Sequence, residues 1–132
     1  MASRHGLQRE ISPAELGLNA ADGLSAGTLN SNSFDCSGFN QLTLEAFLDY
    51  GNGSTLTFQI ETSPDNSTFY LLQTASVAAG TSTLSNATYS KTTGADTHYI
   101  VDLPVNYNFV RIANITGGSN DALTVTARLG KI

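Results

Sequence analysis

Thr55-Leu56-Thr57-Phe58-Gln59-Ile60-Glu61-Thr62 alternates polar and apolar residues without a break, and the class of fold follows from that period. Successive side chains of an extended strand point to opposite faces, so Leu56, Phe58 and Ile60 turn to a core while Thr57, Gln59 and Glu61 turn away from it. Upstream, Leu42-Thr43-Leu44-Glu45-Ala46-Phe47-Leu48 repeats the pattern, with Leu42, Leu44, Ala46 and Leu48 on one face. The Gly-rich stretch Asp49-Tyr50-Gly51-Asn52-Gly53-Ser54 between the two is expected to close them into a hairpin. Downstream, Ser63-Pro64-Asp65-Asn66-Ser67-Thr68 is a turn, because Pro presets its own φ and Asp and Asn side chains bond to nearby backbone. Phe69-Tyr70-Leu71-Leu72-Gln73 then resumes the sheet.

Farther along, His98-Tyr99-Ile100-Val101-Asp102-Leu103 is a strand stopped by Pro104. Residues 106–115 form another. Val110 and Ile112 lie on one face, continued by Asn108 or Asn114, and Tyr107, Phe109, Arg111 and Ala113 lie on the other. Gly117-Gly118-Ser119-Asn120-Asp121 is a turn. The last strand sets Leu123, Val125, Ala127 and Leu129 inward. Residues 75–97 are rich in Ala, Gly, Ser and Thr, with one strand expected over 86–91.

About seven or eight short strands, with turn signals roughly every 8–12 residues, predict an all-β protein, an antiparallel β-sandwich with a jelly-roll as one arrangement open to it. No segment is long enough for the helical crossovers of a parallel sheet. At 132 residues the chain is one domain's worth. Residues 1–33 lack the alternation and are expected to be an extended N-terminal arm with at most a short helix, leaving 34–132 as the sandwich. Ser12-Pro13-Ala14-Glu15-Leu16 starts that helix, with Ser12 as its cap and Pro13 at its first position, and Gly17 ends it. Leu7, Ile11, Leu16, Leu18 and Leu24 are apolar enough to dock on the domain itself or on a neighbouring subunit.

The net charge of −5 argues against sequence-independent nucleic-acid binding, which needs a dense basic face. No Lys or Arg occurs between Arg9 and Lys91. An acidic body with Arg4 and Arg9 on its arm suits complementary neighbours. Arg4, Arg9, Leu7, Ile11 and Leu16 are accordingly the candidate partner-binding residues. The first residues lack the apolar run of a signal peptide, and no window reaches the length of a membrane helix, so a soluble protein made in a cytoplasm, with no membrane partner, is expected.

The search for chemistry yields no catalytic residue, cofactor or metal site. Cys36 is the sole cysteine, which rules out an intramolecular disulfide and a Cys-rich zinc site, and a small buried apolar role is expected for it. Glu45 and Glu61 would resemble a glycosidase pair if they were cross-strand neighbours, but exposed sheet faces carry such residues routinely. Asp49, Asp65 and Asn66 are loop oxygens of the type that binds calcium, and turn formation accounts for them. His98 has no second histidine nearby. Residues 69–72 and 99–103 are apolar on both faces, which predicts that one outer face is covered by the arm or by another subunit.

Three stretches carry a resemblance. Ser33-Phe34-Asp35-Cys36-Ser37-Gly38-Phe39-Asn40-Gln41-Leu42-Thr43-Leu44 is similar to a D-x-S-G-F-x-x-L-T opening. The stretch from Leu56 through Ser63-Pro64-Asp65-Asn66-Ser67-Thr68-Phe69 looks like a strand, an S-x-D-x-S-T turn and an aromatic. The close runs from Tyr107-Asn108-Phe109-Val110-Arg111-Ile112 to Leu123-Thr124-Val125-Thr126-Ala127-Arg128-Leu129-Gly130. In this order, over residues 33–130, they resemble small structural proteins of tailed bacteriophages, most of all capsid decoration (cement) proteins. The resemblance implies a non-enzymatic virion protein made in the host cytoplasm. It would bind the major capsid protein or other virion proteins, as a homo-oligomer, in particular a trimer. A neck, tail or fibre component is the alternative within the same particle. A virion-borne carbohydrate-binding module with Tyr50, Tyr70 or Tyr99 as its platform is the alternative from another class. Removal of residues 1–30 is expected to leave a folded domain that no longer binds the shell.

Overall fold

Leu56, Phe58 and Ile60 are fully buried on one strand, Leu56–Ser63, and Thr57, Gln59 and Glu61 between them are half-buried, as the alternation requires. The computed structural model describes residues 8–18, 30–49, 56–86, 88–91, 96–117 and 121–131. In chain order its elements are β1 (Gln8–Ile11), α1 (Pro13–Leu16), β2 (Phe34–Asp35), β3 (Gln41–Asp49), β4 (Leu56–Ser63), β5 (Tyr70–Leu71), β6 (Gln73–Ala78), β7 (Thr81–Asn86), β8 (Thr88–Lys91), β9 (Thr97–Pro104), β10 (Phe109–Thr116) and β11 (Ala122–Gly130). The protein is an all-β sandwich. Its first sheet has the order β1-β11-β3-β9. Its second has the order β2-β10-β4, with β5 and β8 both along the far side of β4. All the pairings are antiparallel.

Consecutive strands alternate between the sheets. β1 and β3 belong to the first and β2 and β4 to the second, and the alternation resumes with β9, β10 and β11. The hairpin expected between the Leu42 and Leu56 strands is therefore absent. β3 pairs with β11 and β9, and β4 with β10, β5 and β8. Alternation reports which face a residue takes and not which strand lies beside it; the loop itself, 50–55, is outside the described residues. Leu42, Leu44 and Leu48 of β3 and Leu123, Val125 and Leu129 of β11 meet Phe58, Ile60, Val110 and Ile112 of the second sheet in one core. Each such side chain contributes about 1.5–3 kcal/mol relative to its exposed state.

The described residues of the N-terminal segment, 8–18 and 30–33, are part of this sandwich. β1 pairs with β11 from Gln8↔Gly130 to Ile11↔Ala127 and forms the edge of the first sheet. The Ser12 hydroxyl accepts the Glu15 N–H at 3.2 Å, and Gly17 ends α1 with φ of 72°. This one-turn helix reverses the chain and places Leu16 and Leu18 in the core beside Ile11. Ser31 then ties the segment to β10, its N–H donating to Ile112 O and its hydroxyl accepting the Ile112 N–H, both at 2.8 Å. The boundary expected at 33/34 thus falls inside one packed unit. An edge strand of four residues with a single inward side chain carries too little alternation to announce itself.

β10 departs from the expected faces at Asn114. The register runs Phe109↔Ser63 to Ala113↔Gln59 and resumes at Thr116↔Thr57, so β10 holds one residue more than β4. Asn114 takes a φ of 51°, and this bulge moves Ile115, not Asn114, into the core after Ile112.

In the Ala-, Gly-, Ser- and Thr-rich stretch 75–97 the strand expected over 86–91 is present as β8, and a two-stranded ribbon precedes it. β5 runs along β4 with Tyr70 opposite Thr62 and Leu71 opposite Glu61, and the Leu72 N–H donates to Ile60 O. β8 continues the same track, with Thr88 opposite Gln59 and Lys91 opposite Leu56. One edge strand is thus interrupted between Leu72 and Thr88, with no break in its register. The intervening chain leaves as the β6–β7 ribbon, paired from Gln73↔Asn86 to Ala78↔Thr81 around Ala79 and Gly80. Both turn residues have positive φ, 53° and 80°, the type I′ geometry of a two-residue hairpin.

Candidate interaction surfaces

The outer face of the first sheet is built in three rows across β11, β3 and β9. Thr124, Phe47 and His98 are side by side, then Thr126, Glu45 and Ile100, then Arg128, Thr43 and Asp102. The third row is ionic. Arg128 pairs with Glu45 and with Glu10 of β1, and the Thr43 hydroxyl donates to Asp102 at 2.7 Å. The other end is apolar. Phe47 and His98 stack with centroids 4.4 Å apart, and Ile100 beside them is 70% exposed.

The outer face of the second sheet is a polar lattice that satisfies itself. Arg111 Nε and Nη2 both donate to Glu61 Oε1 at 2.7 Å, and its guanidinium stands 3.9 Å over the Phe69 ring. Asn114 donates to Gln59 and Gln59 to Thr88, both at 2.8 Å. The Thr57 and Thr116 hydroxyls bond to each other at 2.6 Å.

Glu45 and Glu61 lie on the outer faces of opposite sheets, with the core between them, and each is held by an arginine. They cannot flank one glycosidic bond, so this candidate pair is dissolved. Cys36 is buried, and burial, seconded by the charge of Asp35, pushes its thiol up to about 12. Such a thiol is not a nucleophile near neutral pH. Asp65 is taken up by its turn. It accepts the Thr68 and Ser67 N–H groups at 2.9 Å and the Ser63 hydroxyl at 3.0 Å, which hold its carboxyl below the usual range. Asp49 ends β3 in the other sheet, and no three His, Cys, Asp or Glu side chains among the described residues are grouped to hold a metal. Of the three platform tyrosines, Tyr50 is outside the described residues, Tyr99 packs against Tyr89 at 6.1 Å, and Tyr70 is exposed.

The candidate partner-binding residues divide three ways. Arg4 and Leu7 are outside the described residues. Arg9 is half-exposed on β1 and pairs with Glu15 at 3.5 Å. Ile11 and Leu16 are 1% exposed in the chain's own core and present nothing to a partner, a correction to their expected role. Among the described residues the large exposed apolar groups are elsewhere: Tyr70 on β5, Ile100 on β9, and Val77 and Leu84 on the ribbon, 71% and 66% exposed. In sequence Ile100 reads as an ordinary strand residue, since alternation cannot say which of two faces a second layer covers, and Val77 and Leu84 lie where no strand is expected.

Among the described residues the accessible features of this all-β sandwich are sheet faces and edges. No family model and no curated protein matches the sequence. Solved structures do match the fold. The SPBc2 prophage-derived protein YomS aligns over 99% of both chains with a TM-score of 0.56 and 11% identity. A chain of the structure of infectious bursal disease virus, Gx strain, aligns with 98% of this chain at a TM-score of 0.55 and 10% identity. This chain covers 33% of that longer one.

Proposed function

We propose that the protein is a virion structural protein, and within that class a capsid decoration protein that binds an assembled major capsid lattice. The supporting observation is the strand order. β1-β11-β3-β9 faces β2-β10-β4 followed by the composite β5/β8 strand, with successive strands alternating sheets. That order supports reading the sandwich as the double Greek key of a jelly-roll, a design frequent in viral capsid domains. The shared fold of a prophage-derived protein and a virus chain favours the same assignment. Function for such a protein is mass action: binding the assembled shell and not loose subunits shifts the balance toward the shell. A homo-oligomeric form, in particular a trimer, belongs to this proposal.

Cosedimentation with capsids tests it, and quantitative mass spectrometry of the particle separates the alternatives. A copy number comparable to that of the capsid subunits supports decoration; a few copies per particle place the chain in a neck, tail or fibre and overturn it. A glycan-array hit lost in Tyr70→Ala would move the assignment to a carbohydrate-binding module.

A further inference from the structure

We infer that β9 is an open docking edge and that it pairs antiparallel with β9 of a second copy about a two-fold axis, Ile100 meeting Ile100 and His98 meeting Asp102.

The two packed sheets have four edges. An edge strand offers unpaired N–H and C=O groups to any other strand, and proteins that stay apart blunt it. Three of the edges are blunted. β1 is four residues long and carries Arg9 and Glu10. β2 has two residues, and beyond it Ser31 and Asn30 accept the N–H groups of Ile112 and Asn114. The β5/β8 edge is broken where the ribbon leaves it. β9 has none of these devices. It runs for eight residues in unbroken register with β3, from Gln41↔Pro104 to Leu48↔Thr97. It holds no lysine or glycine, and its proline is its last residue. Among the described residues no strand lies on its other side.

The backbone settles which groups are offered. The Val105 N–H donates to Asn40 O, just past the last pair of β9 and β3. Alternate residues of an antiparallel strand send both backbone groups to the same neighbour, so Leu103, Val101 and Tyr99 serve β3. Asp102, Ile100 and His98 turn theirs to the open edge. Their side chains share the outer face, and that of Ile100 is largely exposed.

The occupant follows from the spacing of these three residues. His98-Tyr99-Ile100-Val101-Asp102 places an imidazole and a carboxylate at equal distances from Ile100. Two antiparallel copies centred on Ile100 bring offered backbone groups opposite offered backbone groups. Each His98 then stands beside the other copy's Asp102, and isoleucine meets isoleucine. The Thr43 hydroxyl takes one acceptor site of Asp102 and leaves others for the imidazole. Asp96 falls opposite Pro104. A centre at Tyr99 would instead set Asp96 against Asp102, two acids face to face, and a centre at Val101 would set Asp102 on Ile100. One register therefore matches both charge and apolarity, and it is self-complementary, as a two-fold contact must be.

Of the proposed function this inference rests on homo-oligomerisation alone. Sedimentation velocity on the full chain tests it. Wild type is expected to form a dimer through this edge. Ile100→Pro removes an N–H that serves only the open edge, so the β3 ladder keeps its bonds, and self-association should weaken by at least about tenfold. If that variant does not fold, His98→Asp takes its place, since it sets acid against acid across the axis. The exchange His98→Asp, Asp102→His should restore the dimer, a rescue that a merely structural role for either residue would not give. A wild type that stays monomeric overturns the pairing. So does an oligomer, a trimer included, that is indifferent to Ile100→Pro and His98→Asp, or a loss that the exchange does not repair. A monomer whose cosedimentation with capsids is lost in Ile100→Pro also overturns it, and gives the edge to a strand of the capsid protein. Failure of capsid binding alone, with the dimer intact, strikes the decoration reading and leaves the pairing standing.

Discussion

Arg111 stands directly across from Glu61 on the outer face of the second sheet and is sandwiched between that carboxylate and the Phe69 ring. The pair is half-buried, so it is screened less than a surface ion pair, and the flat guanidinium serves both neighbours at once. Arg111→Ala is expected to lower the unfolding free energy by about 1–3 kcal/mol in urea titrations. Arg111→Lys should recover less than half of the loss, because an ammonium cannot donate twice in one plane and stack. A second residue-scale prediction concerns alkaline pH. Burial pushes Cys36 from 9.0 to about 12, and Tyr107 from 10.0 to about 12. Both groups are neutral while protonated, and the unfolded chain releases their protons at lower pH than the folded one. Their contribution is thus complete below pH 9 and declines as pH rises from there toward 12. Each proton adds a slope of about 1.4 kcal/mol per pH unit. Cys36→Ala should flatten the decline most around pH 9, where the tyrosine of the unfolded chain is still mostly protonated.

At the scale of elements, the bulge in β10 and the interruption between β5 and β8 have opposite energetic characters. The bulge is required: Asn114 adopts a left-handed backbone so that Ile112 and Ile115 can both face the core. Asn114→Val should cost about 1–3 kcal/mol, since a β-branched residue resists positive φ, and Asn114→Gly should cost less. The ribbon is an addition to an edge strand whose register ignores it. Deleting residues 73–87 should leave the unfolding free energy within about 1 kcal/mol of wild type, because a shortened excursion also lowers the closure entropy. A loss of several kcal/mol in differential scanning calorimetry would show that the ribbon supports the sandwich. Its turn was legible in principle, as Ala79-Gly80 centred in a run of Thr and Ser. Its strands have no large apolar residue at every second position, so a period of two does not mark them.

For the whole molecule, the N-terminal segment changes the truncation experiment. Ile11, Leu16 and Leu18 each contribute about 1.5–3 kcal/mol when buried, and together they approach the total stability of about 5–15 kcal/mol typical of a domain. Removal of residues 1–30 is therefore expected to abolish cooperative unfolding in circular dichroism melts, instead of leaving a competent domain. Removal of residues 1–7 keeps β1 and α1 and should preserve the melt. If that shorter truncation also loses capsid cosedimentation, Arg4 and Leu7 recover the partner role that Ile11 and Leu16 have lost.

The inward faces of β3, β4 and β11, the cap of α1 and the turn at Pro64 were all legible in the chain, because each depends on residues a few positions apart. Leu42, Phe58 and Val125 are buried where alternation puts them. Pairing was not legible. β3 and β4 are neighbours in sequence and belong to different sheets, while β1 finds β11 at the other end of the chain. Periodicity is a local property, whereas strand order depends on which faces fit together across dozens of residues. That difference turned Glu45 and Glu61 from a candidate pair into two separate ion pairs, drew Ile11 and Leu16 inward, and left Val77, Leu84 and Ile100 at the surface.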